Sequence, residues 1–298
     1  MDVSGIYPAL TTPFAADGSV SRSDLKHNIQ KYNSTDLAGY VAIGSTGESV
    51  MLSRKEMDEV FSTVKEAAAK NKTLIAGTGA ESTAETIERT KRAAELGYHV
   101  ALVKTPFYYK PAYKPEVYLK HYRAVADASP IPIMIYVMPL FTGVTLEAAT
   151  VAAIAEHPNV IGIKDSGGDV RRIGEMRNQT NSSFQILTGA ASVLFPCLAM
   201  GACGAIMALA SALPEKCVEL YKLFSEGQQG KARELQLQLV TASRVMVSEL
   251  GIAGVKYAMD QRGYRGGVPR LPLQPLEEEQ KNRLTRLLEA LEPAAVKA

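Results

Sequence analysis

Cysteine is scarce in this chain of 298 residues. There are three, Cys197, Cys203 and Cys217, an odd number set in apolar surroundings without CxxC spacing. That pattern argues against a disulfide framework and predicts reduced, buried thiols. Histidine is nearly as rare, and His27, His99, His121 and His157 are scattered with no HExxH or paired-ligand spacing, so no metal site is legible. Neither sign of charge is in excess: a formal net charge of +2 with acids and bases interspersed leaves no basic stripe, and no nucleic-acid partner is expected. No apolar run is long enough to span a membrane, and the start, Met1-Asp2-Val3-Ser4-Gly5, lacks a basic stretch followed by an apolar one. A cytoplasmic protein without a membrane partner is the expectation.

What the sequence does contain is alternation. Short apolar runs at Ile6 to Leu10, Tyr40 to Ile43, Leu74 to Gly77, Val100 to Val103, Ile133 to Val137, Val160 to Ile163, Phe184 to Leu187 and Ala205 to Leu209 read as eight strands. Between them lie amphipathic stretches with helix-start signals, such as Ser53 before Arg54 to Lys70, Ser82 before Thr83 to Leu96, and Pro115 leading to Ala128. Near-continuous apolar strands alternating with helices predict a parallel sheet covered by helices, and eight units fit a closed α/β architecture, the (β/α)₈ TIM barrel. A doubly wound open sheet is the runner-up, but no GxGxxG follows the first strand. After Ala210 only helical periodicity remains, through Glu215 to Phe224, Lys231 to Leu250, Val255 to Gln261 and Glu277 to Leu291, with a loop over 262–269. The division expected is a catalytic barrel over 1–225 and a C-terminal helical extension over 226–298.

The segment Val160-Ile161-Gly162-Ile163-Lys164-Asp165-Ser166-Gly167-Gly168-Asp169 runs an apolar strand straight into a lysine and a glycine-rich turn. Strict alternation puts Val160, Gly162 and Lys164 on one face, with Gly162 leaving empty volume beside the lysine stem. Burial disfavours the charged form of a lysine and frees the amine to form a Schiff base with a carbonyl substrate. The competing reading is a lysine that snorkels to solvent or pairs with Asp165. In a TIM barrel the active site lies at the carboxyl ends of the strands. Three other segments fall there: Gly44-Ser45-Thr46-Gly47-Glu48-Ser49 after strand two, Thr105-Pro106-Phe107-Tyr108-Tyr109 after strand four, and Tyr136-Val137-Met138-Pro139 at the end of strand five. The glycine-rich turn has N–H groups and hydroxyls suited to a carboxylate, and a phenol linked to a hydroxyl can shuttle protons for a lysine nucleophile.

Gly44-Ser45-Thr46-Gly47-Glu48, Tyr136-Val137-Met138-Pro139 with Thr142-Gly143, and Gly162-Ile163-Lys164-Asp165 together resemble the dihydrodipicolinate synthase/N-acetylneuraminate lyase family of pyruvate-dependent class I aldolases. The resemblance begins at Gly5-Ile6-Tyr7-Pro8-Ala9-Leu10 and covers nearly the whole chain. It implies a (β/α)₈ barrel, commonly a homotetramer, that acts on pyruvate and an aldehyde with no metal, nucleotide or dissociable cofactor. By position it makes Lys164 the Schiff-base nucleophile and Tyr136 the general acid/base. Thr46 relays its proton, and Ser45 and Thr46 bind the pyruvate carboxylate. Tyr108 would complete the relay from a neighbouring subunit, and Ile206 would line the pyruvate pocket.

One departure bears on the second substrate. Dihydrodipicolinate synthases generally carry an arginine two residues after the proline of the strand-five motif, and here that position is Phe141. A phenyl ring cannot replace a charge-assisted contact worth roughly 1.5–3 kcal/mol. The run Lys164 to Val170, Ser129-Pro130-Ile131-Pro132 and Gly251-Ile252-Ala253-Gly254-Val255-Lys256 resemble the 4-hydroxy-2-oxoglutarate aldolase branch, in which Ser166 would sit near the second substrate. The expected reaction is therefore reversible cleavage of a 4-hydroxy-2-oxo acid to pyruvate and glyoxylate. The alternatives are condensation of pyruvate with aspartate semialdehyde, a sugar-acid aldolase or dehydratase, and, outside enzymes, a sensor that binds oxo acids.

Overall fold

A computed structural model describes residues 1–291. Eight strands form one parallel sheet: β1 (Gly5–Pro8), β2 (Gly39–Ala42), β3 (Thr73–Gly77), β4 (Val100–Lys104), β5 (Ile133–Val137), β6 (Val160–Asp165), β7 (Gln185–Thr188) and β8 (Gly204–Met207). Each pairs with its sequence neighbour from β2 to β8, and β8 pairs with β1. Between β1 and β2 the seam is held by the Ala9–Val41 bridge and by the Ala38 N–H donating to the Ile6 carbonyl at 2.9 Å. The result is a nearly closed (β/α)₈ TIM barrel, as the alternation of apolar runs and amphipathic stretches predicts.

The strands are wrapped by α1 (Arg22–Asn33), α2 (Arg54–Ala67), α3 (Thr83–Glu95), α4 (Pro115–Ala128), α5 (Ala148–Ala155), α6 (Val170–Gln179), α7 (Leu194–Ala199) and α8 (Pro214–Ser225). Their starts have local causes. Ser53 and Glu56 form a reciprocal capping box on α2, Ser82 caps α3 through the Glu85 N–H, and Pro115 opens α4 where its missing N–H costs nothing. Alternation sorts β5 cleanly: Met134 and Tyr136 point into the barrel with Tyr7, Leu102, Leu187 and Ile206, whereas Ile133, Ile135 and Val137 face the helices.

The C-terminal extension comprises α9 (Gln229–Ala242), a π-helical turn (Ser243–Glu249), α10 (Gly251–Gln261) and α11 (Glu278–Leu291). Leu235, Leu239, Met246, Val255, Met259 and Leu284 join the same apolar cluster as β1, β2 and α8, so the extension is packed onto the barrel. The continuous helix expected over Lys231 to Leu250 changes winding at Ser243, which a 3.6-residue periodicity does not register. The part of the expected extension that falls at 292–298 lies outside the described residues. Cys197 and Cys217 are buried free thiols and Cys203 is half-buried. Among the described residues no helix is long and apolar enough to cross a membrane.

Candidate active site

A cavity of about 150 Å³ opens at the carboxyl ends of the strands. Lys164, at the end of β6, is 4% exposed and reaches into it, with Nζ 4.3 Å from the centroid of the Tyr136 ring. The two residues are register partners on β5 and β6, so the sheet itself sets their proximity. Asp165, the acid next in sequence, is committed elsewhere: Oδ2 accepts from Arg172 Nε at 2.8 Å and Oδ1 from the Gly167 N–H at 2.8 Å. Lys164 neither snorkels nor pairs with Asp165, which leaves its amine facing the cavity.

Two sequence expectations about this strand need correction. Val160 does not share the face of Lys164. The ladder places Ile133 opposite Val160 and Met134 opposite Gly162, so Ile161 is an extra residue that flips the parity. Val160 consequently packs among the outer residues while Ile161 packs against the barrel interior. Nor does Gly162 leave open volume, because a Cβ there would lie 2.3 Å from the Gln185 carbonyl oxygen. Its smallness serves close strand approach rather than a substrate.

Ser45 occupies the first position of the 3₁₀ turn Ser45–Gly47, and its Oγ lies 3.2 Å from the Tyr136 hydroxyl. The relay was expected of Thr46, which lines the same cavity, but the hydroxyl that touches the phenol belongs to Ser45. The turn is bracketed by two non-glycine residues with left-handed backbone, Ile43 (φ 59°) and Glu48 (φ 56°), a costly conformation for a β-branched side chain. Ser166 and Ile206 also line the cavity, Ile206 fully buried on β8. Gly189 is required beside Ser166, since a Cβ at that position would fall 1.8 Å from the serine Oγ. Tyr108 is not brought to the cavity of its own chain. It is 72% exposed and packs edge-on against Tyr109, on a loop whose Phe107 and Tyr108 N–H groups donate to Glu81.

Sequence reasoning missed several contributors. Ser243, Val247 and Ser248 of the π turn, with Gly251, Ile252 and Val255 of α10, close one wall of the cavity. Lys104 ends β4 opposite Tyr136 and lines a small crevice with Ser45 and Arg89, and burial pushes its ammonium below the ordinary lysine value. The signal for Lys104 was available, because it too is a lysine at the end of an apolar strand. Phe141, at the mouth, is 58% exposed. Among the described residues that line the cavity, Lys164 carries the only cationic side chain. Among the described residues no three His, Cys, Asp or Glu side chains gather as a metal site.

The fold and site together are a TIM barrel with a buried lysine on its sixth strand beside a phenol at the end of the fifth. The chain belongs to the dihydrodipicolinate synthetase family, whose sequence profile matches residues 2–291. Family members are aldolase-type lyases that use a lysine Schiff base with pyruvate. It is 36% identical over 290 residues to a 4-hydroxy-tetrahydrodipicolinate synthase of Natronomonas pharaonis, covering 97% of this chain and 98% of that one. A second, from Methanothrix thermoacetophila, is 35% identical over 285 residues, 95% of each chain. Among solved structures, dihydrodipicolinate synthase from Bacillus anthracis superposes with a TM-score of 0.94 at 29% identity, covering 98% of this chain and 100% of that one. The chloride-inhibited enzyme from Acinetobacter baumannii, solved with pyruvate, gives 0.92 at 33% identity over 97% and 98%. These relatives carry the synthase name, so the narrower likeness to the 4-hydroxy-2-oxoglutarate aldolase branch finds no support in them.

Proposed function

We propose that this protein is a pyruvate-dependent class I aldolase in which Lys164 forms an imine with the keto carbon of pyruvate. The observation that carries the reading is the buried Lys164 amine beside the Tyr136 ring, in a cavity with no second cationic side chain among the described residues that line it. Nζ adds to the keto carbon, and the carbinolamine loses water to give the iminium, with Tyr136 moving the protons through Ser45. The iminium then accepts the electron pair left when a methyl proton departs. The resulting enamine carbon attacks an aldehyde, and hydrolysis of the imine releases the product. Cleavage runs through the same steps in reverse. Ser45 and Thr46 are suited to hold the pyruvate carboxylate, and Ile206 to pack against its methyl group.

For the acceptor, the names of the relatives favour aspartate semialdehyde and condensation in the manner of 4-hydroxy-tetrahydrodipicolinate synthase. A second reading rests on Phe141 and on the missing cation at the cavity mouth, which favour cleavage of a 4-hydroxy-2-oxo acid such as 4-hydroxy-2-oxoglutarate. The exposed Tyr108 suits a partner subunit's site, so a homotetramer is part of the proposal. Purified protein supplied with pyruvate and either aspartate semialdehyde or glyoxylate separates the two readings, the preferred aldehyde showing at least tenfold higher kcat/KM. Lys164→Ala should lose both reactions while retaining the fold, and normal turnover in that variant overturns the mechanism.

A further inference from the structure

Glu48 and Lys256 form an ion pair with 2.6 Å between Oε1 and Nζ, both side chains wholly buried. Besides Glu48, the ammonium reaches the carbonyls of Thr12 and Val268, each at 2.9 Å, and it sits 4.5 Å from the centroid of the Phe14 ring. The other carboxylate oxygen of Glu48 accepts from the Arg270 N–H at 2.7 Å. Buried pairs of this kind are weak devices for stability, because desolvating two charges offsets most of their attraction. Their position in the fold is therefore the informative property.

Glu48 ends the turn whose first residue, Ser45, touches Tyr136, and Lys256 directly follows Val255, a cavity-wall residue on α10. A third tie runs through Thr12, whose hydroxyl donates to the Gly47 carbonyl at 2.7 Å while its own carbonyl accepts from Lys256. The turn so held is one that would not hold itself. Left-handed backbone at Ile43 and Glu48 is unfavourable for non-glycine residues and persists only where the surroundings over-determine it. Relaxation at either end would rotate the intervening Ser45 away from the phenol.

We infer that Glu48 and Lys256 are positioning residues, a buried clamp through which the C-terminal extension fixes the strained turn and keeps Ser45 in proton-relay contact with Tyr136. This inference rests on the imine reading given above.

The test uses pyruvate alone. The full-length Glu48→Gln/Lys256→Met variant removes both charges at nearly constant volume, so neither partner is left as an uncompensated buried ion. Two readouts are compared: borohydride trapping of pyruvate on Lys164, and exchange of the pyruvate methyl protons for deuterium followed by NMR. The variant is expected to unfold cooperatively and to trap pyruvate fully at saturation. Its methyl exchange should slow by about tenfold or more, the phenotype also expected of Ser45→Ala. Adding the pair change to Ser45→Ala should slow exchange no further, because both act through one contact. Wild-type exchange in the folded pair variant, or a fully multiplicative loss in the triple variant, overturns the clamp. Should the pair variant fail to fold, Glu48→Asp keeps the charge on a shorter arm: slowed exchange in the folded variant supports the clamp, and wild-type exchange overturns it. A wild-type protein that traps no pyruvate overturns the imine reading and this inference with it, an outcome distinct from trapping with unaltered exchange.

Discussion

The Ser45 hydroxyl lies 3.2 Å from the Tyr136 hydroxyl, joining a turn after β2 to the end of β5 across the mouth of the barrel. Removing the phenolic oxygen with Tyr136→Phe should lower kcat by roughly 10²–10⁴-fold if proton transfer limits the chemistry. Ser45→Ala should lower kcat by a smaller factor, about 10–100, since a water can substitute for a single hydroxyl. Steady-state kinetics on both variants test the assignment. A larger loss for Thr46→Val than for Ser45→Ala would return the relay to Thr46.

Phe141 fixes a second expectation. Phe141→Arg puts a guanidinium at the cavity mouth, where an exposed contact to a carboxylate falls at the lower end of the 1.5–3 kcal/mol range for charged hydrogen bonds. The KM for aspartate semialdehyde should fall about tenfold, with KM for pyruvate little changed. An unaltered aldehyde KM would show that Phe141 is not near the acceptor carboxylate.

Gly162 and Gly189 make different predictions. Gly162→Ala drives a methyl group into the β7 backbone, and the strand cannot move without opening the barrel, so a loss of about 1–3 kcal/mol or more is expected in chemical denaturation. Gly189→Ala meets Ser166 instead, its Oγ at 1.8 Å, Cβ at 2.8 Å and Cα at 3.0 Å, so the serine must shift as a whole; a smaller loss of stability than for Gly162→Ala is expected, with a cavity-lining hydroxyl displaced. Equal destabilisation by the two would contradict this distinction.

His121 is buried on α4 with Nδ1 2.9 Å from the Thr83 hydroxyl, and desolvation holds its imidazole down to about 4 against an ordinary 6.5. A group depressed in the folded state contributes stability above its unfolded value and loses it as the pH falls toward the folded one. Stability from His121 is therefore fully present above about 6.5 and is lost between there and about 4. The difference corresponds to an upper bound of roughly 3 kcal/mol. Thermal unfolding from pH 7 to pH 4 should show a smaller fall in Tm for His121→Gln than for the parent. Parallel curves would remove His121 from the acid sensitivity.

The architecture was legible because it is a matter of burial. All eight strands lie where an apolar run meets helix-start residues, and Lys164 stood out as an ammonium at the end of such a run. Lys104 carries the same signal on β4, but no motif frames it. The face of Val160 was not legible: the extra residue Ile161 is absorbed by the backbone, and nothing in an apolar run announces a bulge. Ser45 and Thr46 are adjacent hydroxyls, and only the winding of the 3₁₀ turn decides which one meets the phenol. The cavity wall from Ser243 to Val255 and the Glu48–Lys256 pair depend on how the extension docks, a long-range packing outcome that local patterns do not encode.

The central claim is that Lys164 attacks pyruvate, and reductive trapping tests it most directly. Protein treated with borohydride in the presence of pyruvate, then analysed by intact mass and peptide mapping, should carry one reduced pyruvyl group on the peptide containing Lys164. The Lys164→Ala variant should carry none. An adduct mapped to Lys104, or no adduct on folded protein, would contradict the account.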